Sequence, residues 1–471
     1  MAVSGGSLKI EAKAGTGKTK VLRDISEALP GQGLFLSHGK KVAEEGKAKL
    51  SAKTECSTFN SLAFRMMGSD YHGKIGGRLT GAVVAQAGCI PSLKIRDNLM
   101  LPPSALGYEV LKGIQRFCET VDTEFSAAHF PDISLKGLSE DETNLMTDML
   151  CKASARVYSK MADPTSTLPC LHGVYVKEFV VKEVDLGKDY LLVDEFQDSD
   201  PLMMHFLRAQ KSTQMIFAGD RHQSINEWRG AKNIMKRAQT QNTAYLTQSF
   251  RFGQRIADRA NEVLTRLGSE KLLVGNPKIT SWIGHVDSPD AILCRTNAEC
   301  AISYFNLSEA ACKGVVASGL SDAEAFIMNM LNLSKGGKGT GEYALFKSDD
   351  ELRNYVYSDQ GRDLYLYLDL IDKHGFDFLV KKIEQSKRSE QQLGVRMTIT
   401  TGHRAKGLEF DHVRVVGNFM DEENKGQEDY EQESNLTYVV LTRAKIAMEE
   451  NIVGFKQGLQ EYADTAVHHK G

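Results

Sequence analysis

Short apolar runs alternate with amphipathic segments near both ends of the chain. In the first half, LKIEA (8–12) precedes the helical pattern TKVLRDISEAL, and GLFLSHG and TECSTFN follow as further apolar runs. The same pattern resumes at KDYLLVDEF, QMIFAGD and AYLTQSF. Strands that alternate with helices in this way predict a parallel sheet with crossover helices.

A second series of apolar runs occupies the C-terminal half, at AILCRT, GVVASG, VRMTITT and HVRVVGN. Each series is interrupted by a long segment of mainly helical pattern that contains Gly-rich breaks. We therefore expect an α/β fold with two parallel-sheet domains, each split by a mainly helical insertion. The expected first domain is 1–62 and 171–247 with an insertion at 63–170, and the second is 248–318 and 396–471 with a small insertion at 319–395.

The composition limits which partners are plausible. The formal net charge of the 471 residues is −3, so any nucleic-acid contact must come from a local groove and not from a general basic field. The eight cysteines show no CxxC pair, which is typical of ordinary thiols in a reducing compartment. No apolar run approaches the roughly 18 residues of a membrane span, and MAVSGGSLKIEA lacks a signal-peptide pattern. These observations predict no membrane partner and a cytoplasmic location, or a nuclear one in a eukaryote.

The segment AKAGTGKT, residues 12–19, has the form of a phosphate-binding loop except that Ala12 replaces the first glycine. Its two remaining glycines allow backbone N–H groups to wrap phosphates at a helix N-terminus. Lys18 would reach the β- and γ-phosphates, and the Thr19 hydroxyl would ligate Mg²⁺. A Gly-rich turn before a helix is the alternative, but the strand before it and the helix after it favour a site for ATP and Mg²⁺. The candidate nucleotide-binding residues of this loop are Ala14, Gly15, Thr16, Gly17, Lys18 and Thr19.

Residues 190–200, YLLVDEFQDSD, place several carboxylates at the end of an apolar run. A phosphate loop needs a second strand that ends in a metal-holding acid, and open α/β sheets place their chemistry at this edge. Asp194 would bind Mg²⁺, and Glu195 would activate the attacking water as general base. A solvated acidic turn is the alternative for a single such segment. Asp198 and Asp200 are expected to be turn acids or the cap of the helix that begins at Pro201. Together with the phosphate loop, the strand predicts an ATPase.

Further blocks follow DEFQD in the order AGDRHQSINEWRGA (218–231), LTQSFR (246–251), TGHRAKGLEF (401–410) and NLTYVVLTRAK (435–445). With them, the chain closely resembles the UvrD/Rep-like group of superfamily 1 DNA helicases. Its second half looks most like the helicase part of F-box DNA helicases. The resemblance covers both α/β domains in the family's order and implies that both are RecA-like domains of a P-loop NTPase.

The resemblance assigns roles to four side chains around the γ-phosphate. Gln197 and Gln223 resemble the family's γ-phosphate sensors, and Arg251 and Arg443 resemble its two arginine fingers. The chemistry is suitable because guanidinium groups spread the charge of a transferring phosphoryl group. Surface arginines on helices are the alternative. The implied catalytic residues are Lys18, Glu195, Gln223, Arg251 and Arg443.

Three further residues are implied at the nucleoside. Phe250 is found where the family stacks an aromatic ring on adenine. Glu409 matches a residue near the nucleotide sugar, and Gly407 is its turn partner. The cofactors implied by the resemblance are therefore ATP and Mg²⁺, the latter held by Thr19 and Asp194.

The resemblance also implies contacts with a DNA strand. STFNSLA resembles a strand-contact motif that contains Thr58, Phe59 and Asn60. Thr401 and His403 match a contact pair in the second domain. Trp228 resembles a base-stacking tryptophan, and stacking tolerates any base because every base has a π-face. A tryptophan before a helix can instead be a core anchor, and this alternative stays open.

The implied function is that of an ATP-dependent DNA helicase that moves along single-stranded DNA, 3′→5′ by likeness to UvrD and Rep. Its expected partners are single-stranded DNA and duplex DNA junctions. One alternative is a translocase that displaces proteins from DNA and unwinds duplexes poorly. Another is a catalytically silent DNA-binding scaffold, against which the intact ATPase residues argue.

Overall fold

A computed structural model describes the chain except for residues 97–98, 132–138, 226–233, 309–311, 313, 341–342, 344–345, 359–360, 362–363, 391–395, 418, 420–426 and 452–471. The chain divides into two compact units. The first unit is Met1–Ala12 and Lys18–Tyr245, and the second is Lys13–Gly17 and Leu246–Gly471. Each unit contains its own parallel sheet.

The sheet of the first unit is formed mainly by the apolar runs that the sequence identified. The strands of this unit are β1 (Leu8–Ala12), β2 (Gly33–Ser37), β3 (Thr54–Thr58), β4 (Leu93–Arg96), β5 (Leu99–Leu101), β6 (Tyr190–Val193), β7 (Gln214–Gly219) and β8 (Asn242–Leu246), of which β4 and β5 lie outside the main sheet. The sheet order is β3-β2-β6-β7-β1-β8, and the pairs from β3 to β1 are parallel. The β7 strand therefore lies between β1, which leads into the phosphate loop, and β6, which leads into Asp194. The carboxyl ends of these strands meet at one edge, where open α/β sheets carry ligands.

Helices cover this sheet and form the insertion. They are α1 (Lys18–Ala28), α2 (Lys40–Lys49), α3 (Phe59–Tyr71), α4 (Gly81–Gly88), α5 (Pro103–Phe117), α6 (Glu140–Ala162), α7 (His172–Val181), α8 (Pro201–Ala209) and α9 (Ile234–Arg237). The segment 63–170, predicted to be mainly helical, contains most of α3 together with α4, α5 and α6. The insertion also contains the antiparallel β4–β5 hairpin, which the pattern did not predict. One apolar core runs from Leu34 and Leu191 in the sheet to Leu150 and Val157 in α6.

The second unit repeats the parallel arrangement. Its strands are β9 (Trp282–Ile283), β10 (Ala291–Cys294), β11 (Val315–Ala317), β12 (Met397–Thr401), β13 (Phe410–Val416) and β14 (Ala444–Asn451). The order is β11-β12-β10-β13-β14-β9, and every neighbouring pair is parallel. The predicted α/β fold with two parallel sheets is thus confirmed, although β9 and β14 were not predicted.

The helices of the second unit flank its sheet and occupy the second insertion. They are α10 (Gln254–Arg266), α11 (Asn297–Phe305), α12 (Ser321–Ser334), α13 (Asp349–Val356), α14 (Tyr365–His374), α15 (Phe376–Glu390) and α16 (Gln427–Leu441). Helices α12 to α15 lie within the segment expected to be helical. Their apolar faces pack with β10 to β12 into a second core that includes Phe326, Leu368 and Ile399.

Three buried lysines close helix C-termini. Lys74 donates to the carbonyls of Lys160, Met161 and Asp163 at the end of α6. The carbonyls at and beyond the C-terminus of α5 accept in the same way from Lys177, and those of α11 from Lys382. Burial lowers the pKa of Lys177 to about 8. Each ammonium satisfies carbonyls that a helix end leaves without an intrahelical partner.

Among the described helices, none combines the length and the apolar composition that a bilayer crossing requires.

Candidate functional site

The candidate phosphate loop connects β1 to α1, as its sequence predicted. Gly15 and Gly17 have φ angles of 71° and 79°, in the left-handed region that favours glycine. A Cβ on Gly15 would also lie 2.7 Å from both the Ser249 hydroxyl oxygen and the Arg251 Cβ. The backbone conformation therefore requires the glycines of the motif.

A buried hydroxyl and several backbone groups hold this loop. The N–H of Ala14 donates to the Tyr438 hydroxyl at 3.0 Å, and the Gly15 carbonyl accepts from the N–H of Phe250 at 2.8 Å. Within the loop, the Thr16 hydroxyl donates to the Lys13 carbonyl at 2.7 Å. Sequence reasoning did not select Tyr438, which is fully buried in α16, although it lies inside the NLTYVVLTRAK block.

Lys18 forms an ion pair with the predicted general base. Its Nζ lies 2.7 Å from Oε2 of Glu195. Burial alone would lower the pKa of Lys18, but the carboxylates of Glu195, Asp194 and Asp220 raise it above its ordinary value. The ammonium is therefore charged at neutral pH and available to a phosphate group.

Asp194 follows β6 directly and is 3% exposed. Its Oδ1 accepts the N–H of Glu195 at 2.9 Å. Burial, followed by the charge of Glu195, raises the pKa of Asp194 to about 6, while Lys18 opposes the shift. Glu195 has a φ of 51°, a left-handed conformation that turns the chain out of the strand. Strained backbone of this kind is common at functional sites.

The two predicted γ-phosphate sensors belong to one buried hydrogen-bond network. Nε2 of Gln197 donates to Oε2 of Glu195 at 2.6 Å, and Oε1 of Gln197 accepts the N–H of Asp220 at 3.0 Å. Gln223 Nε2 donates to Asp220 Oδ2 at 2.9 Å. The network connects the ends of β6 and β7, and it adds Asp220 to the residues that the sequence selected.

Arg251 in the second unit is held by two acceptors. Its Nη1 donates to the Thr442 carbonyl at 2.9 Å, and its Nη2 pairs with Oε1 of Glu409 at 2.5 Å. The Nε atom is buried and has no hydrogen-bond partner in the described part of the chain. Arg251 and Glu409, both predicted at the nucleotide site, are thus in direct contact.

Arg443 has different surroundings. It is 1% exposed, and it donates to the carbonyls of Val439 at 2.8 Å and Leu408 at 3.2 Å and to the Thr442 hydroxyl at 3.1 Å. These bonds tie the end of α16 to the segment before β13. These hydrogen bonds are structural, and the role of Arg443 as a second arginine finger stays a prediction.

The remaining nucleotide-site candidates lie at accessible positions. Phe250 is 64% exposed, and a Cβ on Gly17 would lie 3.6 Å from its ring. Such an exposed ring is free to stack on a base. Gly407 has a φ of 85°, which completes the turn that leads into Glu409.

The acidic residues present fit a magnesium ion that takes few protein ligands. Among the described residues there is no group of three or more His, Cys, Asp or Glu side chains that could enclose a metal. Mg²⁺ commonly takes one or two protein oxygens and completes its shell with water and substrate phosphates. Asp194, whose buried carboxylate has a raised pKa, and Thr19, in the first turn of α1, suit that kind of site.

The candidate strand-contact residues of the first unit lie where β3 ends and α3 begins. Thr58 caps α3, since its hydroxyl oxygen accepts the N–H of Ser61 at 3.1 Å. Asn60 is exposed. The Phe59 ring is 8% exposed and packs against Phe179 and Phe206 in the core. Thr58 and Asn60 are therefore the accessible members of the motif.

All three residues line a cavity of about 620 Å³ within the first unit. Its wall combines apolar, amide and carboxylate side chains from β2, α3, α5, α7 and the segment before α8. The lining residues are Ser37, His38, Thr58, Phe59, Asn60, Gln115, Cys118, Glu119, Leu171, Gly173, Val176, Asp198, Asp200, Leu202 and Met203.

In the second unit, Thr401 ends β12 and His403 lies in the turn that follows. The N–H of Ala405 donates to the Thr401 carbonyl at 3.0 Å and closes this turn. Partial burial of the ring and the charge of Arg295 lower the pKa of His403, although Glu433 opposes the shift. The imidazole is therefore neutral at pH 7. Trp228, the predicted base-stacking residue, lies outside the described residues.

Two family models match segments of the chain. The UvrD/REP helicase N-terminal domain matches residues 177–242, and the UvrD-like helicase C-terminal domain matches residues 372–448. The first match contains the acidic strand end and both glutamines predicted to be γ-phosphate sensors. The second contains His403, Glu409 and Arg443.

Curated relatives match most of the chain. F-box DNA helicase protein 1 of Schizosaccharomyces pombe is 25% identical over 484 residues, covering 93% of this chain and 54% of the relative. F-box DNA helicase 1 of Gallus gallus is 27% identical over 489 residues, covering 93% of this chain and 46% of the relative. ATP-dependent DNA helicase PcrA of Leuconostoc citreum is 25% identical over 303 residues, covering 55% of this chain and 37% of the relative.

The chain spans about half the length of the two F-box relatives. The N-terminal domain match lies in the first unit and the C-terminal match in the second, in the family's order. The chain is therefore similar to the UvrD-like helicases in both of its units.

Proposed function

We propose that this chain is an ATP-dependent DNA helicase that moves 3′→5′ along single-stranded DNA and separates duplex DNA ahead of it. The observation that carries the proposal is the contact between Lys18 and Glu195 at 2.7 Å, beside the buried Asp194. A phosphate-binding lysine, a metal-binding acid and a general base are the parts that hydrolysis of a nucleoside triphosphate needs. The similarity to UvrD-like helicases, and to relatives that are named DNA helicases, supports DNA as the partner.

In the proposed reaction, the loop from Ala14 to Thr19 binds the triphosphate through backbone N–H groups and the Lys18 ammonium. Lys18 exchanges its carboxylate partner for phosphate oxygens, which leaves Glu195 available to accept a proton from the attacking water. Gln197, whose Nε2 lies 2.6 Å from Oε2 of Glu195, is proposed to orient the water. Bound Mg²⁺, held by Asp194 and Thr19, would neutralise charge on the phosphates.

The second unit supplies the groups that respond to the transferring phosphoryl group and the base. Arg251 is proposed to stabilise the charge of the transition state, for which its planar donors are suited. Phe250 is proposed to stack on adenine. Arg443 would need to release its bonds to Val439 and Leu408 before it could act in the same way.

We propose that the DNA strand contacts Thr58, Asn60, Thr401, His403 and Trp228. ATP binding and hydrolysis would change the affinity of these contacts for the strand as the two RecA-like domains close and open. The proposed domains keep the boundaries 1–62 with 171–247 and 248–318 with 396–471, and the insertions lie between them. Single-stranded DNA and duplex junctions are the proposed partners.

The test measures ATP hydrolysis with and without single-stranded DNA, and then unwinding of duplexes that carry a 3′ or a 5′ tail. We expect DNA to stimulate hydrolysis and the 3′-tailed duplex to be unwound. Lys18→Ala and Glu195→Gln should both abolish hydrolysis, but Glu195→Gln should still bind ATP because Asp194 keeps its metal role. Hydrolysis at a near-normal rate in Glu195→Gln would refute the general-base assignment.

Two results would replace the proposal. Efficient displacement of a protein from single-stranded DNA, with poor unwinding of naked duplex, would indicate a translocase. Absence of phosphate release in every condition would indicate a silent DNA-binding scaffold.

A further inference from the structure

The guanidinium of Arg251 is fixed by groups from two separate segments of the second unit. The Thr442 carbonyl follows α16 and accepts from Nη1 at 2.9 Å, and the Glu409 carboxylate precedes β13 and accepts from Nη2 at 2.5 Å. The Arg251 side chain is only 14% exposed, whereas that of Glu409 is 44% exposed. The carboxylate therefore reaches inward from the surface to hold a mostly buried guanidinium.

Arg443 fixes the backbone on both sides of Glu409. Its Nη1 donates to the Leu408 carbonyl at 3.2 Å, and the Phe410 N–H donates to the Arg443 carbonyl at 3.0 Å. The Arg443 Nη2 also donates to the Thr442 hydroxyl at 3.1 Å. One buried arginine thus contacts the segments that supply both acceptors of Arg251.

We propose that Glu409 is a positioning residue that acts through Arg251, and that Arg443 sets the place of Glu409. An arginine side chain has many rotamers, and a group that must meet a transition state gains from being held in one of them. The hydrogen bonds of Nη1 and Nη2 restrict the orientation of the guanidinium. The Nε–H, which has no partner in the described part of the chain, and the remaining N–H groups can then bind an anion. The proposal rests on the proposed ATPase function. It differs from the sugar contact that the family resemblance implies for Glu409.

The experiment compares Glu409→Ala and Glu409→Gln with the wild-type chain in ATP hydrolysis at saturating single-stranded DNA. We expect kcat to fall by about tenfold or more in Glu409→Ala, because small misplacements of a catalytic group have effects of this size. Glu409→Gln keeps an acceptor oxygen and should lose less. The KM for ATP should stay within about twofold, because Arg251 acts mainly on the transition state.

A double-mutant cycle tests whether the effect passes through Arg251. In an Arg251→Ala background, Glu409→Ala should cause no further loss of the residual rate, since residues that act as one unit are not additive. Glu450→Ala is the matched control, because Glu450 pairs with Arg259 at 2.9 Å in the same unit and neither residue is a candidate nucleotide-site residue. It should leave kcat unchanged, and the melting temperatures of both variants measure any general loss of stability.

Three results would overturn the proposal. A kcat for Glu409→Ala within twofold of wild type would show that Arg251 does not need this partner. An equal loss in the Arg251→Ala background would show that Glu409 acts elsewhere. A rise in KM for ATP, but not for its 2′,3′-dideoxy analogue, would assign Glu409 to the sugar. Failure of the proposed function is distinct, because the wild-type chain itself would then hydrolyse no ATP.

Discussion

The buried carboxylate of Asp194 carries an electrostatic cost when no metal is bound. Its pKa is raised from 3.8 to about 6, so the folded protein binds a proton more tightly than the unfolded chain does. The favourable contribution of that proton is present below pH 4 and is lost as the pH rises through 6. Above pH 6 the ionised Asp194 therefore destabilises the metal-free protein relative to the form in which it is protonated.

We predict that Asp194→Asn raises the melting temperature of the metal-free protein at pH 8 and abolishes ATP hydrolysis. The asparagine can still accept the N–H of Glu195, so the change removes the charge and little else. The measurement is thermal unfolding in a chelator at pH 8 and at pH 4, where the difference from wild type should shrink. A lower melting temperature at pH 8 would mean that the carboxylate is well compensated in the fold.

Tyr438 gives a second prediction at this scale. Tyr438→Phe removes the oxygen that accepts the Ala14 N–H and leaves a buried donor without a partner. An unsatisfied buried group costs about 1–3 kcal/mol. We expect weaker ATP binding, seen as a severalfold rise in KM, because the phosphate loop loses one of its supports.

Tyr304→Phe is the control for Tyr438→Phe. The Tyr304 hydroxyl is also buried and donates to the Lys382 carbonyl at 2.9 Å in the same unit. Both variants should lose a similar amount of thermal stability, but Tyr304→Phe should keep the KM for ATP. Equal KM values in the two variants would limit Tyr438 to a role in folding.

The residues that sequence reasoning identified lie in contiguous motifs, where residue type and spacing carry the chemistry. Lys18 and Glu195 are in contact, as two halves of an ATPase site should be. Tyr438 could not be selected in this way because it meets Ala14 across 424 positions of sequence. The motif also gave no indication that the Phe59 ring points into the core.

Among the elements, α8 has an N-cap that was one of two alternatives for the acids before it. The Asp200 carboxylate accepts the N–H of Met203 at 2.7 Å, and Pro201 occupies the first turn. We predict that Asp200→Ala lowers the stability to unfolding by about 1 kcal/mol, as loss of an N-cap usually does. Asp200→Asn should keep most of the stability to unfolding, because asparagine is an equally good cap. Denaturant unfolding of the two variants is the measurement, and equal destabilisation by both would refute the capping role.

The elements that the pattern missed have physical reasons. The β14 sequence AKIAMEEN carries charged residues that are unusual for an inner strand. Glu449 accepts from Arg414 at 2.9 Å, and Glu450 pairs with Arg259 at 2.9 Å. These partners neutralise the acids only after the chain has folded, so no local pattern predicts the strand. The short β4–β5 hairpin lies between α4 and α5, and the helical pattern on both sides of it prevented its prediction.

For the molecule as a whole, the net charge of −3 makes DNA binding depend on local contacts. We predict that the logarithm of the affinity for single-stranded DNA falls linearly with the logarithm of the salt concentration. The slope should be small, of the size given by a few phosphate contacts, about −0.7 for each. Titrations between low and moderate salt measure it, and an affinity that does not change with salt would contradict the proposed strand contacts.

The order of strands and helices along the chain predicted two parallel sheets, because alternation of this kind leaves few other folds. The division into units could not be read from sequence in full detail. Residues 13–17 group with the second unit although the strand before them and the helix after them are in the first. Hydrogen bonds from Phe250 and to Tyr438 account for this placement, and both come from distant segments.

The three buried lysines that bind helix C-termini can be used to detect local opening of the structure around them. Lys74 and Lys177 are 7% and 2% exposed in the first unit, and Lys382 is 1% exposed in the second. An amine-reactive reagent should modify the surface lysines within minutes but reach these three only when the surrounding helices separate. Peptide mass spectrometry after brief labelling would then record, site by site, how often each insertion loosens. Addition of nucleotide or DNA during labelling would show in which of the two insertions each ligand reduces lysine modification.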